Sequence, residues 1–160
     1  MGFSLDNGII YGSLYAVMKV VFDTNIIIAG LYSKRGASYR LLKAALAGEL
    51  SFAVSPLVAL EYEGVLEQEI REGFIAISKE DSEKILNALF ASATIVWRPL
   101  QIRPALSDPS DDKILECAIS CDCTHIITFN KRHFPALLTA PWGIKVMTAG
   151  EFLSHWRNKP

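Results

Sequence analysis

Short apolar runs alternate with segments of helical periodicity along the chain. The first run, residues 20–22, is mostly β-branched and stops at Asp23, a pattern typical of a buried parallel strand. Similar runs predict further strands near residues 50–54, 94–97, 125–128 and 144–147. Because strands and helices alternate, the sequence predicts a three-layer α/β/α, Rossmann-like fold with a mainly parallel, about five-stranded sheet.

Apolar residues at three- and four-residue spacing predict the helices between these strands. Several of these helices are preceded by residues that commonly cap helix N-termini. The predicted N-caps are Ser55, Ser78, Asp108 and Thr148, and Thr148 with Glu151 has the spacing of a capping box.

Composition limits the domain organisation. The chain has 160 residues and is 51% apolar, which is enough for one compact domain, placed at residues 18–160. Residues 1–17 lack the basic start of a signal peptide, and Met18 directly precedes the first strand. We therefore expect an N-terminal extension or a start-site artefact, with an extra edge strand or arm as the alternative. No apolar run reaches the length of a membrane span.

Charge and cysteine content indicate how the chain could bind nucleic acid and in which redox compartment it functions. A net charge of −1 argues against a strongly basic nucleic-acid surface, so any nucleic acid must bind a local patch. Cys117, Cys121 and Cys123 are odd in number and crowded together, which favours a reducing cytoplasm over a disulfide framework. Two of them could form a zinc site with His125, but their alternate-residue spacing better fits the entrance to a strand.

Asp23 is the first candidate site residue. Ligands of open α/β sheets bind at the carboxyl ends of the strands, which is where Asp23 and Asn25 are expected. The alternative is that Asp23 and Thr24 only cap the following helix.

Glu61 is the second candidate, because it falls on the predicted inward face of the helix over residues 56–70. A carboxylate on a core-facing stripe is costly unless it is paired, protonated or metal-bound. A salt bridge to Arg40 or Arg98 is the structural alternative. The predicted inward stripe consists of Leu57, Leu60, Gly64 and Val65.

Asp111 and Asp112 open the next acidic segment. Three acids within residues 108–112 exceed what helix capping requires, although capping alone is the simpler explanation. Asp111 shares the apolar stripe of Ile114 and Leu115, so its side chain is expected to face inward. Asp112 lies on the shoulder of that stripe and is the second choice.

The predicted fourth strand ends in further polar residues. Asn130 follows the strand and Thr128 could place a hydroxyl nearby, while Lys131 and Arg132 could position a phosphate backbone. Asn130 could also be an ordinary turn residue, and the two cations could belong to a solvated loop. His133 in the same loop is expected to be a surface residue.

These polar residues are predicted to meet at one edge of the sheet. Carboxylates about 5 Å apart repel by roughly 3 kcal/mol per pair at an effective dielectric near 20, so a positive charge should offset them. A site of oxygen ligands suits Mg²⁺ or Mn²⁺. Such an ion can activate water for attack on a phosphodiester.

Four stretches together resemble the PIN-domain ribonucleases, including their toxin-like branch, over about residues 18–156. These are the strand ending in Asp23-Thr24-Asn25, the segment from Ser55 to Glu61, the segment from Asp108 to Asp112 with the helix that it begins, and the segment from Thr128 to Phe134. Each is weak alone, but four in order are fairly specific.

The resemblance implies a PIN-like fold and metal-dependent endonuclease cleavage of RNA. It often also implies a toxin neutralised by an antitoxin protein, and it favours a homodimer. By this resemblance Asp23, Glu61 and Asp111 are the metal ligands, and Asn130 stands where the family often has a fourth acid. Asp112 and Asn130 complete the candidate catalytic set. Asn25, Thr128, Lys131 and Arg132 are the candidate substrate-binding residues.

Other functions remain open from the sequence. A phosphatase could use Asp23 as its nucleophile, but Asn25 stands where such enzymes carry a second acid. A receiver-like phosphorylation domain would also show paired acids near the first strand. A PIN-like fold retained only for binding, with its site weakened by Asn130, is the non-enzyme alternative.

Overall fold

A parallel sheet of five strands forms the centre of the molecule, which confirms the predicted fold class. The computed structural model describes residues 17–158. The strands are β1 (Lys19–Phe22), β2 (Ser51–Val54), β3 (Thr94–Ile95), β4 (His125–Ile127) and β5 (Lys145–Met147). Their order is β3-β2-β1-β4-β5, and every neighbouring pair is parallel. The carboxyl end of the central strand β1 therefore lies at the middle of the sheet edge.

Helices connect the strands in the predicted alternation. They are α1 (Thr24–Tyr32), α2 (Ala37–Leu46), α3 (Pro56–Arg71), α4 (Lys79–Ser92), α5 (Pro109–Ser120), α6 (Ala136–Thr139) and α7 (Ala149–Arg157). The strand order reverses at β1, and since connections between parallel strands are right-handed as a rule, the helices cover both faces of the sheet. All four predicted N-caps accept a hydrogen bond from the first turn of their helix, and the capping box is formed. Among the helices of residues 17–158, none has the length and apolar composition that a membrane span requires.

Some boundaries differ from the sequence predictions. Strand β3 ends at Ile95 and not at Trp97, because it lies at the sheet edge with β2 as its one neighbour and Pro99 follows closely. The segment after β4 contains α6 and short 3₁₀ helices at Lys131–His133 and Ala140–Trp142, which apolar periodicity did not predict. The predicted extension, residues 1–17, lies outside the described residues except for Val17.

The inward face of α3 is one position away from the predicted stripe. Val58, Tyr62 and Leu66 are buried, whereas Leu57 and Leu60 are 42% and 61% exposed. Helix α3 has two neighbouring apolar stripes, and periodicity alone does not decide which of them faces the sheet. The predicted stripe was therefore wrong.

Tyr62 ties α3 to the central strand. Its ring is fully buried and stacks beside Phe90, and its hydroxyl donates a hydrogen bond to the carbonyl of Phe22, the last residue of β1. Burial raises the pKa of the Tyr62 hydroxyl well above its usual value, so the hydroxyl stays protonated as a donor.

Replacing Tyr62 with phenylalanine should lower the free energy of unfolding by about 1–2 kcal/mol, because the Phe22 carbonyl loses a buried donor. Urea unfolding followed by circular dichroism measures the change. Tyr32→Phe is the control, since Tyr32 is exposed and its variant should stay within about 0.5 kcal/mol of wild type. Equal stabilities of the Tyr62 and Tyr32 variants would contradict this assignment.

Candidate active site

Asp23 is a buried carboxylate directly after the central strand. Its main-chain N–H donates to the carbonyl of Ile127 on β4 at 2.9 Å, which extends the pairing of β1 and β4 by one residue. This pairing brings Thr128 beside Asp23, and the Thr128 hydroxyl donates to Oδ2 of Asp23 at 2.6 Å. The Asn25 amide donates to the same oxygen at 3.2 Å. Two neutral donors thus fix the Asp23 carboxylate.

Asn25 and Thr128 are in turn fixed by the chain after β4. Oδ1 of Asn25 accepts from the main-chain N–H of Phe129 at 3.3 Å, and the Thr128 hydroxyl accepts from that of Asn130 at 2.9 Å. Asn130 therefore reaches the site through its backbone, and the residue is exposed. The predicted substrate-binding residues Asn25 and Thr128 hold Asp23 in place, and contact with a substrate stays a prediction for both.

Asp111 enters the site from the N-terminal turn of α5. It is buried on the same face as Ile114 and Leu115, as its position in the stripe predicts. Nδ1 of His133 lies 3.0 Å from its Oδ2. His133 was expected at the surface, and it belongs to the site because the 3₁₀ helix after β4 turns it back towards α5. Sequence periodicity carries no signal for such a turn.

Glu61 reaches the same edge from α3 and has three hydrogen-bonding or charged partners. The Thr24 hydroxyl donates to Oε1 at 2.8 Å, and the Ser110 hydroxyl donates to Oε2 at 3.1 Å. The Lys113 ammonium pairs with Oε2 at 2.5 Å. The salt-bridge alternative predicted an arginine, Arg40 or Arg98, and the structure supplies Lys113 in that place.

The sequence matches the model of a known protein family. The family model described as the PIN domain matches residues 19–132, most of the chain. The chain belongs to the PIN-domain family. This confirms the family resemblance carried by the four sequence stretches.

Solved structures agree with the fold of this PIN domain. Eight chains of solved structures match it. One is from the crystal structure of VapBC2 from Rickettsia felis bound to a DNA fragment from their promoter. The match has a TM-score of 0.50 and 16% sequence identity, and covers 81% of this chain and 98% of that chain. No curated protein sequence matches the chain.

The acids of the PIN domain influence one another's protonation. Burial raises the pKa of Asp23, and the charge of Glu61 adds to that effect while the Thr128 hydrogen bond opposes it. Burial also raises the pKa of Asp111 to about 6, with the charges of Asp23 and Asp108 contributing. Asp23 is therefore close enough to Glu61 and to Asp111 for their charges to repel. Asp23, Glu61 and Asp111 are here called the acidic centre.

A hard divalent ion fits part of this donor set. Asp23 and Asp111 offer carboxylate oxygens, the ligands that Mg²⁺ and Mn²⁺ prefer, and bound water can fill further positions. Glu61 is turned towards Lys113, Thr24 and Ser110. Within residues 17–158, no three His, Cys, Asp or Glu side chains are already arranged to hold a metal ion.

Asp112 contacts the backbone of the loop before α5 and not the acidic centre. It is fully buried, and its Oδ1 accepts from the main-chain N–H groups of Leu106 at 2.8 Å and Ala105 at 3.3 Å. It thereby ties the loop before α5 to the first turn of that helix. Its predicted catalytic role stays a prediction.

The two predicted phosphate-binding cations differ. The Lys131 ammonium pairs with Glu151 at 2.7 Å, beside the capping box of α7. Arg132 is exposed and forms no ion pair with any residue that the structure describes. Arg132 is thus the more available of the two.

Asp111→Asn should stabilise the metal-free PIN domain at neutral pH by about 1 kcal/mol. An aspartate whose pKa rises from 3.8 to about 6 on folding destabilises the folded state once it is ionised. That penalty is complete above about pH 6 and is lost as the pH falls towards the unfolded pKa. Urea unfolding in EDTA at neutral pH and near pH 4 measures the difference.

Asp81→Asn is the matched control, because Asp81 is an exposed aspartate in the first turn of α4. It should show no comparable gain. A gain for Asp111→Asn that is as large near pH 4 as at neutral pH would contradict the electrostatic explanation.

Proposed function

We propose that this PIN domain is an endoribonuclease that hydrolyses RNA phosphodiester bonds with Mg²⁺ or Mn²⁺. The observation that carries the proposal is the acidic centre itself. Buried Asp23 meets Asp111 and Glu61 at the carboxyl edge of the sheet, where α/β folds bind ligands. A protein used only as a scaffold gains nothing from buried carboxylates that repel one another.

Each acid of the centre is held by a different set of neighbours. Thr128 and Asn25 hold Asp23, and His133 holds Asp111, so both carboxylates have fixed orientations before a substrate arrives. A bound divalent ion would supply charge stabilisation at the phosphate and lower the pKa of water. The surrounding burial excludes bulk water and strengthens the interactions of Asp23 and Asp111 with a bound cation.

The RNA backbone should run along a local basic patch beside the site. Arg132 is an exposed cation that can meet phosphates, and the exposed Asn130 lies next to the network that holds Asp23. Because the chain carries a net charge of −1, only such local contacts can attract RNA. The affinity for RNA should therefore decrease only modestly as the salt concentration rises.

Cleavage of a pool of labelled single-stranded and structured RNAs tests the proposal. We expect cutting with Mn²⁺ or Mg²⁺, none with EDTA, and about a hundredfold or greater loss in Asp23→Asn and Asp111→Asn. Asp81→Asn, a change of the same chemistry on the exposed face of α4, should cut like wild type.

Two results would count against the nuclease. If wild type cuts no RNA with any metal yet binds a partner protein tightly, the interaction-module function replaces it. If Asp23 acquires an acid-labile phosphoryl group, the phosphatase alternative is favoured. Membership of the PIN-domain family already argues against that phosphatase.

We further propose that the protein is the toxin of a toxin–antitoxin pair in the cytoplasm, with a homodimer as its expected assembly. An apolar groove of about 300 Å³ lies between α1, α2 and α4, with Lys34 and Lys43 beside its apolar lining. An amphipathic helix with acidic flanks fits such a groove. The match to a chain of the VapBC2 structure makes an antitoxin segment the occupant that we propose.

Leu46→Glu should weaken binding of the protein encoded by the adjacent gene at least about tenfold, because it places a carboxylate at the apolar groove. Isothermal titration calorimetry measures the affinity. Leu137→Glu is the control, since Leu137 is more exposed and lies on α6, outside the groove. Equal effects of the two substitutions would place the partner elsewhere.

A further inference from the structure

Lys113 lies inside the acidic centre, and the proposed reaction does not account for it. Its ammonium is 2.5 Å from Oε2 of Glu61, and the two side chains are only 22% and 17% exposed. Exposed ion pairs contribute little, but attraction grows as water is excluded. Lys113 is therefore a component of the site and not part of a solvated rim.

Glu61 has both of its oxygens engaged by the protein. Oε1 accepts from the Thr24 hydroxyl, and Oε2 accepts from the Ser110 hydroxyl and the Lys113 ammonium. A divalent ion could bind Glu61 directly only by displacing or approaching a positive charge. Glu61 thus differs from the two aspartates, neither of which pairs with a lysine or arginine in the part of the chain that the structure describes.

The charges of the acidic centre indicate how many divalent ions would neutralise it. When ionised, Asp23, Glu61 and Asp111 carry three negative charges in total, and Lys113 carries one positive charge. Within the acidic centre Glu61 and Lys113 therefore cancel each other, and the two aspartates have the combined charge that one divalent ion neutralises. Asn130, at the position where PIN domains often have a fourth acid, adds none.

We propose that Lys113 is a permanent internal cation of the acidic centre, which holds Glu61 as a positioning residue and leaves Asp23 and Asp111 to bind a single divalent ion. This inference rests on the proposed nuclease function and deepens it. Lys113 takes the place that a second ion would otherwise occupy beside Glu61. Its position on α5, two residues after Asp111, lets one helix supply both an acid of the centre and the cation that limits its charge.

The number of Mn²⁺ ions bound per chain tests the inference. Electron paramagnetic resonance of free Mn²⁺ and calorimetry should give one ion for wild type and for Lys113→Arg, which keeps the charge. Lys113→Met should bind two ions, because Oε2 of Glu61 becomes available. The double variant Glu61→Gln with Lys113→Met should return to one ion. Lys84→Met, at an exposed lysine of α4, is the matched control and should bind one.

Circular dichroism checks that each variant is folded, and Lys113→Gln replaces Lys113→Met if the latter does not fold. Two ions in wild type, or one ion in the folded neutral Lys113 variant, would overturn the inference. RNA cleavage measured on the same samples separates this failure from that of the nuclease proposal. Cleavage by wild type would support the nuclease proposal whatever the ion count. Absence of Mn²⁺ binding and of cleavage in all variants would overturn the nuclease proposal and the role of Lys113 together.

Discussion

A carboxylate buried at the end of the central strand is the constraint on which the site depends. Removing Asp23 from water raises its pKa, and the cost of keeping it ionised must be met by neighbouring donors. Thr128 and Asn25 provide them, and both are placed by the parallel pairing of β1 with β4. The sheet is therefore more than a scaffold, because its register decides whether Asp23 has partners.

The other two acids are held by different chemistry. Asp111 has one histidine partner and a raised pKa, whereas Glu61 has two hydroxyl partners and an ammonium. One edge of the sheet thus contains two aspartates without a lysine or arginine partner among the described residues and a glutamate that pairs with Lys113. Repulsion between buried carboxylates lowers the free energy of unfolding, so this arrangement of acids does not maximise the stability of the fold.

The sequence predicted the positions of the acids better than it predicted their neighbours. Asp111 was placed on the correct face because it shares the stripe of Ile114 and Leu115, although residues on the other faces of α5 are buried as well. Glu61 was singled out from the wrong stripe of α3, where exposed Leu57 and Leu60 mimic a core face, yet its carboxylate still reaches the site. Asp112 was the second choice on the shoulder of the α5 stripe, and the helix turns it towards the loop backbone.

By itself, the sequence determined the alternation of strands and helices, the N-caps and the family, because local periodicity and short motifs encode all three. Only the tertiary structure decided which side chains contact each acid. Lys113 and Ser110 meet Glu61 across the interface of two helices, and His133 meets Asp111 through a turn. These contacts join residues distant in the chain or depend on the pose of a long side chain, so no local pattern specifies them.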